Sequence, residues 1–220
     1  MPFTNRIEAG RQLAKALGEY KSEKPIVMAL PRGGVPVAAE VAAALDAPLD
    51  LILVRKIGVP FQPELAMGAV VDGPAPITIR NDDVIASCGV DSKQFDEVRR
   101  REIAEIERRR QLYLAGRPHP DVSGRTVIVV DDGIATGATT RAALQAMRER
   151  KAGRIVLAVP VAPADTLSRL QGECDAVICL ESHTFFGAIG AYYADFRQVS
   201  DDEVIALLDR TASSTHPAAR

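Results

Sequence analysis

The sequence predicts an α/β fold in which a parallel, twisted sheet carries helices on both faces. Short apolar runs of strand length alternate with segments of helical periodicity, and this alternation is typical of parallel sheets. A chain of 220 residues, 47% of them hydrophobic, can also bury a substantial core. The runs predicted as strands are Ile26–Leu30, Leu49–Val54, Val127–Val130, Arg154–Val161 and Ala176–Leu180.

Helices are predicted where apolar residues recur at helical spacing or where alanine is abundant. In the first helix, Ile7, Leu13, Leu17 and Tyr20 recur at helical spacing, and Asn5 is a suitable cap. In the last helix, Ser200 is the predicted cap and Glu203 occupies the capping-box position. The predicted helices span residues 6–20, 36–45, 91–114, 141–147 and 200–208.

Residues 57–80 interrupt the alternation, because glycines and prolines separate short apolar pieces. They predict a loop followed by a β-hairpin with strands Ala66–Val71 and Ile77–Ile79. Together with the long charged helix they form a predicted insertion over residues 57–120. The arginines of that helix alternate with glutamates at i,i+4 spacing, which favours a solvated helix packed on the domain or on a second subunit over a nucleic-acid surface.

Composition is typical of a compact cytoplasmic protein. A net charge of −2 gives no general attraction to nucleic acid or membrane. No stretch approaches the roughly 20 apolar residues of a membrane-spanning helix, and the first residues lack the apolar segment of a secretory signal. Three scattered cysteines are too few for a disulfide framework or a common zinc motif. We therefore expect small-molecule ligands, no nucleic-acid or membrane partner and no protein metal centre, and a homodimer is compatible with the sequence.

Residues 127–144 carry the most specific signal in the chain. A buried strand is followed at once by two carboxylates, a loop of small and hydroxyl residues, and a helix. Backbone N–H groups of such a loop, aided by the helix dipole, can surround a phosphate. The acids would repel that phosphate, but they can accept hydrogen bonds from a ribose diol. The segment therefore predicts a ribose 5-phosphate site formed by Asp131, Asp132, Ala135, Thr136, Gly137, Ala138, Thr139 and Thr140.

This segment resembles the signature of type I phosphoribosyltransferases, which bind phosphoribosyl pyrophosphate (PRPP). The resemblance implies an α/β core with a small hood, and transfer of a 5-phosphoribosyl group from PRPP to a nucleobase-like or other nitrogen acceptor, with release of pyrophosphate. Hypoxanthine–guanine enzymes carry an aspartate just before the Thr-Gly pair, whereas this chain has Ala135, as adenine-type enzymes do. That departure argues against a hypoxanthine-type contact and leaves the acceptor open.

A second strand–turn–helix segment, residues 26–46, supports the resemblance. Its turn contains Arg32, Gly33 and Gly34, so permissive backbone and one cation could bind a second polyanion. The resemblance makes this the loop that receives the pyrophosphate of PRPP, with Mg²⁺ bound mainly through PRPP oxygens. It also implies a strained or cis peptide between Pro31 and Gly34. Arg55 and Lys56 follow the next predicted strand and are candidates to assist the pyrophosphate.

The resemblance further implies one domain over residues 1–210, with a hood from residues 162–196. That stretch holds a dense aromatic cluster, of which Phe186 is the candidate for stacking on a planar acceptor. Residues 211–220 have little apolar content and are expected to form a flexible tail. His119 and His183 show no partner pattern and are expected at the surface.

Two other functions remain open from the sequence alone. A regulator that senses PRPP or a nucleotide would need the same pocket without turnover. A phosphate-binding hydrolase with a coincidental loop is a second alternative, although the intact acid pair and Arg-Gly-Gly turn argue against it.

Overall fold

The structure is a computed structural model that describes residues 2–115 and 117–215. The chain divides into two compact units, one of residues 1–51 with 120–220 and the other of residues 52–119. The strands are β1 Ile26–Ala29, β2 Leu49–Leu51, β3 Val54–Val59, β4 Gln62–Val71, β5 Ile77–Arg80, β6 Thr126–Val130, β7 Arg154–Pro163 and β8 Ala176–His183. The α-helices are α1 Arg6–Ala16, α2 Gly34–Leu45, α3 Asp82–Ser87, α4 Ser92–Leu114, α5 Ala138–Glu149, α6 Ala164–Leu170 and α7 Asp201–Thr215.

The first unit is built on a five-stranded parallel sheet in the order β2-β1-β6-β7-β8. Every residue of β1 is buried, as are the last four residues of β6 and all of β7 after Arg154. This explains why those strands are continuous apolar runs in the sequence, since a parallel sheet is covered on both faces. The predicted fold class is confirmed.

Helices of the first unit fall into two groups. Helices α1, α2 and α7 pack on one another, whereas α5 and α6 pack against β6, β7 and β8. Right-handed crossovers explain this division, because the chain moves from β1 to β2 in one direction across the sheet and from β6 to β8 in the other. The two groups therefore cover opposite faces.

The second unit is a three-stranded antiparallel sheet, β3-β4-β5, packed against α3 and α4. The predicted hairpin is present, since Val71 pairs with Ile77 and Ala69 with Ile79. The prediction of a loop before it was wrong, because β3 and the first half of β4 form a further hairpin there. The predicted strand 49–54 was wrong at its end as well: it stops at Leu51, and Val54 begins β3 in the other sheet.

Both predicted helix caps are present, and the last helix is longer than predicted. The Asn5 side chain accepts a hydrogen bond from the Glu8 N–H, and Ser200 and Glu203 form the predicted reciprocal capping box. Helix α7 continues to Thr215 instead of ending at Leu208, so the start of the predicted tail is helical. The remainder of that tail, residues 216–220, lies outside the described residues.

The aromatic cluster forms a small core at the end of the sheet. Phe3 and Tyr193 are buried, and Phe186, Tyr192 and Phe196 pack against them. The start of the chain belongs to this cluster, because the Phe3 N–H donates to the Tyr192 carbonyl at 2.8 Å. Within the predicted hood range, residues 162–163 and 176–183 lie in strands β7 and β8 of the main sheet.

The expectation of a surface position is wrong for His119. Its side chain is 2% exposed, and its Nε2 lies 3.0 Å from Oδ2 of the equally buried Asp72. His183 is about one-third exposed and has its Nε2 3.2 Å from Glu181 Oε2. Among the described residues, no helix combines the length and hydrophobicity that crossing a membrane requires.

Close contact between α1 and α2 at Gly10 gives a test of the packing. A Cβ at Gly10 would lie 2.8 Å from the Val37 carbonyl oxygen. We expect Gly10→Val to destabilise the protein by about 2–3 kcal/mol through overpacking, which lowers Tm by roughly 4–12 °C in thermal unfolding. Gly18→Val is the matched control, because a Cβ at Gly18 has no atom within 4 Å. Equal Tm values for the two variants would contradict the close crossing.

Candidate functional site

Strand order brings the two predicted ligand loops together. The chain leaves β1 toward one edge of the sheet and leaves β6 toward the other, so these adjacent strands flank a topological switch point. Loops at the carboxyl ends of such strands form the ligand crevice of open α/β sheets. The loop after β1 contains Arg32, and the loop after β6 contains the acid pair and Gly137.

Direct contacts show how closely the two loops approach each other. The Leu30 N–H donates to the Val130 carbonyl at 2.9 Å, which extends the sheet ladder to the loops. A Cβ at Gly33 would clash with the Asp132 carboxylate, and one at Gly34 would lie 2.8 Å from the Val130 carbonyl oxygen. Glycine is therefore required at both positions by the acid-bearing loop, which is in van der Waals contact with the turn.

Arg32 lies at the mouth of this turn. The Pro31–Arg32 peptide bond is cis, as the resemblance implied, and α2 begins two residues later at Gly34. The Arg32 guanidinium lies 3.4 Å from Asp201 Oδ1 at the start of α7, and its side chain is 35% exposed. Half-exposed pairs of this length contribute little stability. An incoming polyanion could therefore take the place of Asp201.

The two acids differ in their surroundings. Asp132 is buried, whereas Asp131 is partly exposed and its Oδ1 accepts the Asp132 N–H at 2.9 Å. Burial raises the pKa of Asp131 well above its usual range, and the neighbouring Asp132 charge raises it further. Burial also raises the pKa of Asp132, but the Arg6 guanidinium opposes that rise. Ionisation of both acids therefore carries an electrostatic cost.

Arg6 is the charged partner of Asp132, and this pairing was not predicted from the sequence. Its Nε donates to Asp132 Oδ2 at 2.7 Å, and its Nη1 donates to the Arg197 carbonyl at 2.8 Å. Its guanidinium carbon also lies 3.9 Å from the centre of the Phe196 ring. A signal was present, because residue 6 shares a helical face with the buried Leu13 and Leu17. A charge on the apolar face of a helix indicates a buried partner.

Tyr193 supports the same acid from the aromatic cluster. Its hydroxyl donates to the Asp132 carbonyl oxygen at 2.5 Å. Burial raises the pKa of Tyr193, and the Asp132 charge raises it further, so the hydroxyl remains a donor. Gly133, the next residue, packs beneath Ile189 of the same cluster. The acid-bearing loop is therefore held by α1 on one side and by residues 189–197 on the other.

The predicted phosphate loop opens to solvent at the start of α5. Gly137 caps the helix with φ of +77°, and a Cβ there would lie 2.8 Å from Thr166 Cγ2. Thr166 also donates to the Ala135 carbonyl at 3.1 Å, so α6 fixes the loop from behind. First-turn N–H groups of α5 have no partner within the helix. The exposed residues of the loop are Ala135, Thr136, Ala138 and Thr139, whereas the Thr140 side chain is buried.

Three further candidate residues, Arg55, Lys56 and Phe186, lie outside these two loops. Arg55 and Lys56 lie on β3 in the second unit, where Arg55 pairs with Glu102 at 2.8 Å and Lys56 with Glu64 at 3.2 Å. Phe186 stacks on Tyr192, with ring centres 4.9 Å apart, so one face of its ring is already covered. Its neighbour Phe185 is 93% exposed. The roles suggested for Arg55, Lys56 and Phe186 stay predictions.

Two known proteins are similar in sequence to most of this chain. Two Mycobacterium tuberculosis proteins, from strains CDC 1551 / Oshkosh and ATCC 25618 / H37Rv, are provisionally named phosphoribosyl transferases. Each is 48% identical to this chain over 208 residues, which cover 94% of the chain but 46% of the relative. The chain thus spans about half the length of these relatives.

A solved structure shows the same fold. The crystal structure of TT1426 from Thermus thermophilus has a TM-score of 0.83 and 40% identity, and the match covers 94% of this chain and 98% of that one. Residues 4–197 match the family described as the phosphoribosyl transferase domain. Because this match includes both ligand loops and nearly the whole chain, the chain belongs to the phosphoribosyl transferase family.

Proposed function

We propose that this chain transfers the 5-phosphoribosyl group of PRPP to a nitrogen acceptor and releases pyrophosphate. In this reaction the C1–O bond to pyrophosphate breaks and its electron pair leaves with the pyrophosphate. The acceptor nitrogen supplies the electron pair of the new C1–N bond and then loses its proton. Family membership supports PRPP as the donor.

One observation carries the proposal: the acid pair lies between an open phosphate loop and the Arg32-Gly33-Gly34 turn. Gly33 touches Asp132, and the phosphate loop begins three residues beyond it at Ala135. A single PRPP could therefore place its 5-phosphate against residues 135–140, its diol on the acids and its pyrophosphate on the turn. All three parts of PRPP would bind at one sheet edge.

Charge distribution fits a reaction that passes through a cationic ribose. Positive charge develops on the ribose ring as the pyrophosphate departs, and preorganised charges and dipoles can stabilise it. Asp131 provides a carboxylate that is only partly solvated, so its attraction for a nearby positive charge is weakly screened. Arg32 and the N–H groups of the turn would stabilise the departing pyrophosphate. The protein thus contributes positioning and electrostatics without a covalent intermediate.

Mg²⁺ would enter this site with PRPP. In the described part of the chain, no three His, Cys, Asp or Glu residues are grouped as metal ligands. Mg²⁺ prefers phosphate oxygens and water as ligands, so PRPP itself would supply most of its coordination. When bound, the cation would neutralise charge on the leaving pyrophosphate.

The acceptor site is proposed beside the aromatic cluster. The Ala135 side chain has no group that could bind or deprotonate a purine ring, and we propose that residues 184–196 recognise the acceptor. Phe186 is the proposed stacking residue, because it is only partly buried in the aromatic cluster. The three cysteines are free, which fits a reducing cytoplasm.

Turnover separates the proposed transferase from a sensor. Purified protein would be incubated with PRPP, Mg²⁺ and a panel of nucleobases and amines, and pyrophosphate release would be measured. We expect release that depends on one class of nitrogen acceptor. Tight PRPP binding without release under any condition would favour the sensor, and absence of PRPP binding would exclude both.

The phosphate loop gives a second prediction. Gly137→Val places a β-branched side chain at positive φ and against Thr166, so the loop N–H groups can no longer converge. We expect ribose 5-phosphate affinity to fall at least about 100-fold by calorimetry, since two or more charge-assisted hydrogen bonds are lost. Gly172→Val is the control, because a Cβ there has no atom within 4 Å. Unchanged affinity in folded Gly137→Val would reject this loop as the phosphate site.

The acid pair predicts a conflict between ligand binding and stability. The pKa of Asp131 is raised in the folded state, so its ionisation destabilises the protein as pH rises above the unfolded-state pKa. Asp131→Asn removes that cost. We expect the variant to be more stable than wild type in urea unfolding, with a difference that is larger at about pH 8 than at about pH 4.5. Asp202→Asn is the control and should not be more stable than wild type, because Asp202 is exposed and its charge lies at the positive end of the α7 dipole.

A further inference from the structure

The members of the acid pair are not equivalent as ligands. Arg6 Nε lies 2.7 Å from Asp132 Oδ2, and a Cβ at Gly33 would clash with the same carboxylate. Asp132 is also buried, so its carboxylate offers little surface to a ribose hydroxyl. Asp131 is partly exposed, and the hydrogen bond from the Asp132 N–H holds its carboxylate in place.

We propose that Arg6 is a positioning residue that fixes Asp132 as the structural member of the pair, and that Asp131 is the carboxylate that takes the ribose hydroxyls. This inference rests on the proposed function, because it divides the ribose-binding role between two residues of that site. Arg6 acts through Asp132 and need not touch the ligand.

Arginine suits this position better than any other cation. The guanidinium satisfies Asp132, donates to the Arg197 carbonyl and stacks on the Phe196 ring at the same time. Only a planar group with several fixed donors can make these contacts together. Lysine could keep the charge beside Asp132 but would lose the stacking on Phe196 and the hydrogen bond to the Arg197 carbonyl.

Electrostatics supports the same division. The groups facing the Asp132 carboxylate are Arg6 from α1 and Asp131 from its own loop, and the Tyr193 hydroxyl lies on its backbone carbonyl. Arg6 gives the largest opposition to the burial that raises the pKa of Asp132, so without Arg6 that pKa would rise further. Asp132 would then take up a proton or compete with Asp131 for one, and ribose binding would become more dependent on pH.

The experiment measures the affinity of ribose 5-phosphate by calorimetry, with Tm recorded for each variant. We expect Asp131→Asn to weaken binding at least ten times more than Asp132→Asn. Arg6→Met should weaken binding about tenfold and raise the pH below which binding is lost. Arg6→Lys should recover most of the affinity despite a lower Tm. Arg11→Met is the matched control, since Arg11 lies on the same helix with a 69% exposed side chain.

The double variant Arg6→Met with Asp132→Asn tests the mechanism. Once Asp132 is neutral, no cation is needed beside it, so we expect binding no weaker than in Asp132→Asn alone. Equal losses in Asp131→Asn and Asp132→Asn would overturn the division of roles while leaving the proposed function intact. A lower Tm with unchanged affinity in Arg6→Met would make Arg6 merely structural. If wild type bound neither ribose 5-phosphate nor PRPP, the proposed function would fail, and this inference with it.

Discussion

Asp131 and Asp132 place two like charges side by side at the end of a buried strand, where water can solvate neither fully. Much of the surrounding architecture offsets that cost. Helix α1 delivers Arg6 to one carboxylate, the aromatic cluster delivers the Tyr193 hydroxyl to the adjoining backbone, and two glycines leave room for the acids against the neighbouring turn. A neutral pair would make these features unnecessary, which is why the charges are best understood through what they bind.

The position of the site follows from topology. Strands β1 and β6 are neighbours in the sheet although about a hundred residues separate them, and the chain turns away from them in opposite directions. That arrangement opens a crevice between their loops without any need for a dedicated ligand pocket in the sequence between them. Residues 52–119 form a separate compact unit.

Local features of the fold could be predicted from the sequence, and long-range features could not. Strand-length apolar runs and the Ser200 capping box both depend on residues near one another in the chain. Arg6 escaped detection because its partner is 126 positions away. The same reason explains His119, whose burial depends on Asp72, and the end of the 49–54 strand, where apolar character continues although Leu51 and Val54 belong to different sheets.

Contacts between distant parts of the chain have a consequence for folding. Helix α1 is synthesised well before the groups that neutralise and cover Arg6, which lie at Asp132 and Arg197. The backbone hydrogen bonds of Phe3 likewise form only after residues 192–194 have been synthesised. Loop closure over such separations is entropically costly and slow. The acid-bearing loop is therefore among the last parts of the domain to be held in place, and a nascent chain completes these contacts only after residue 197 has been made.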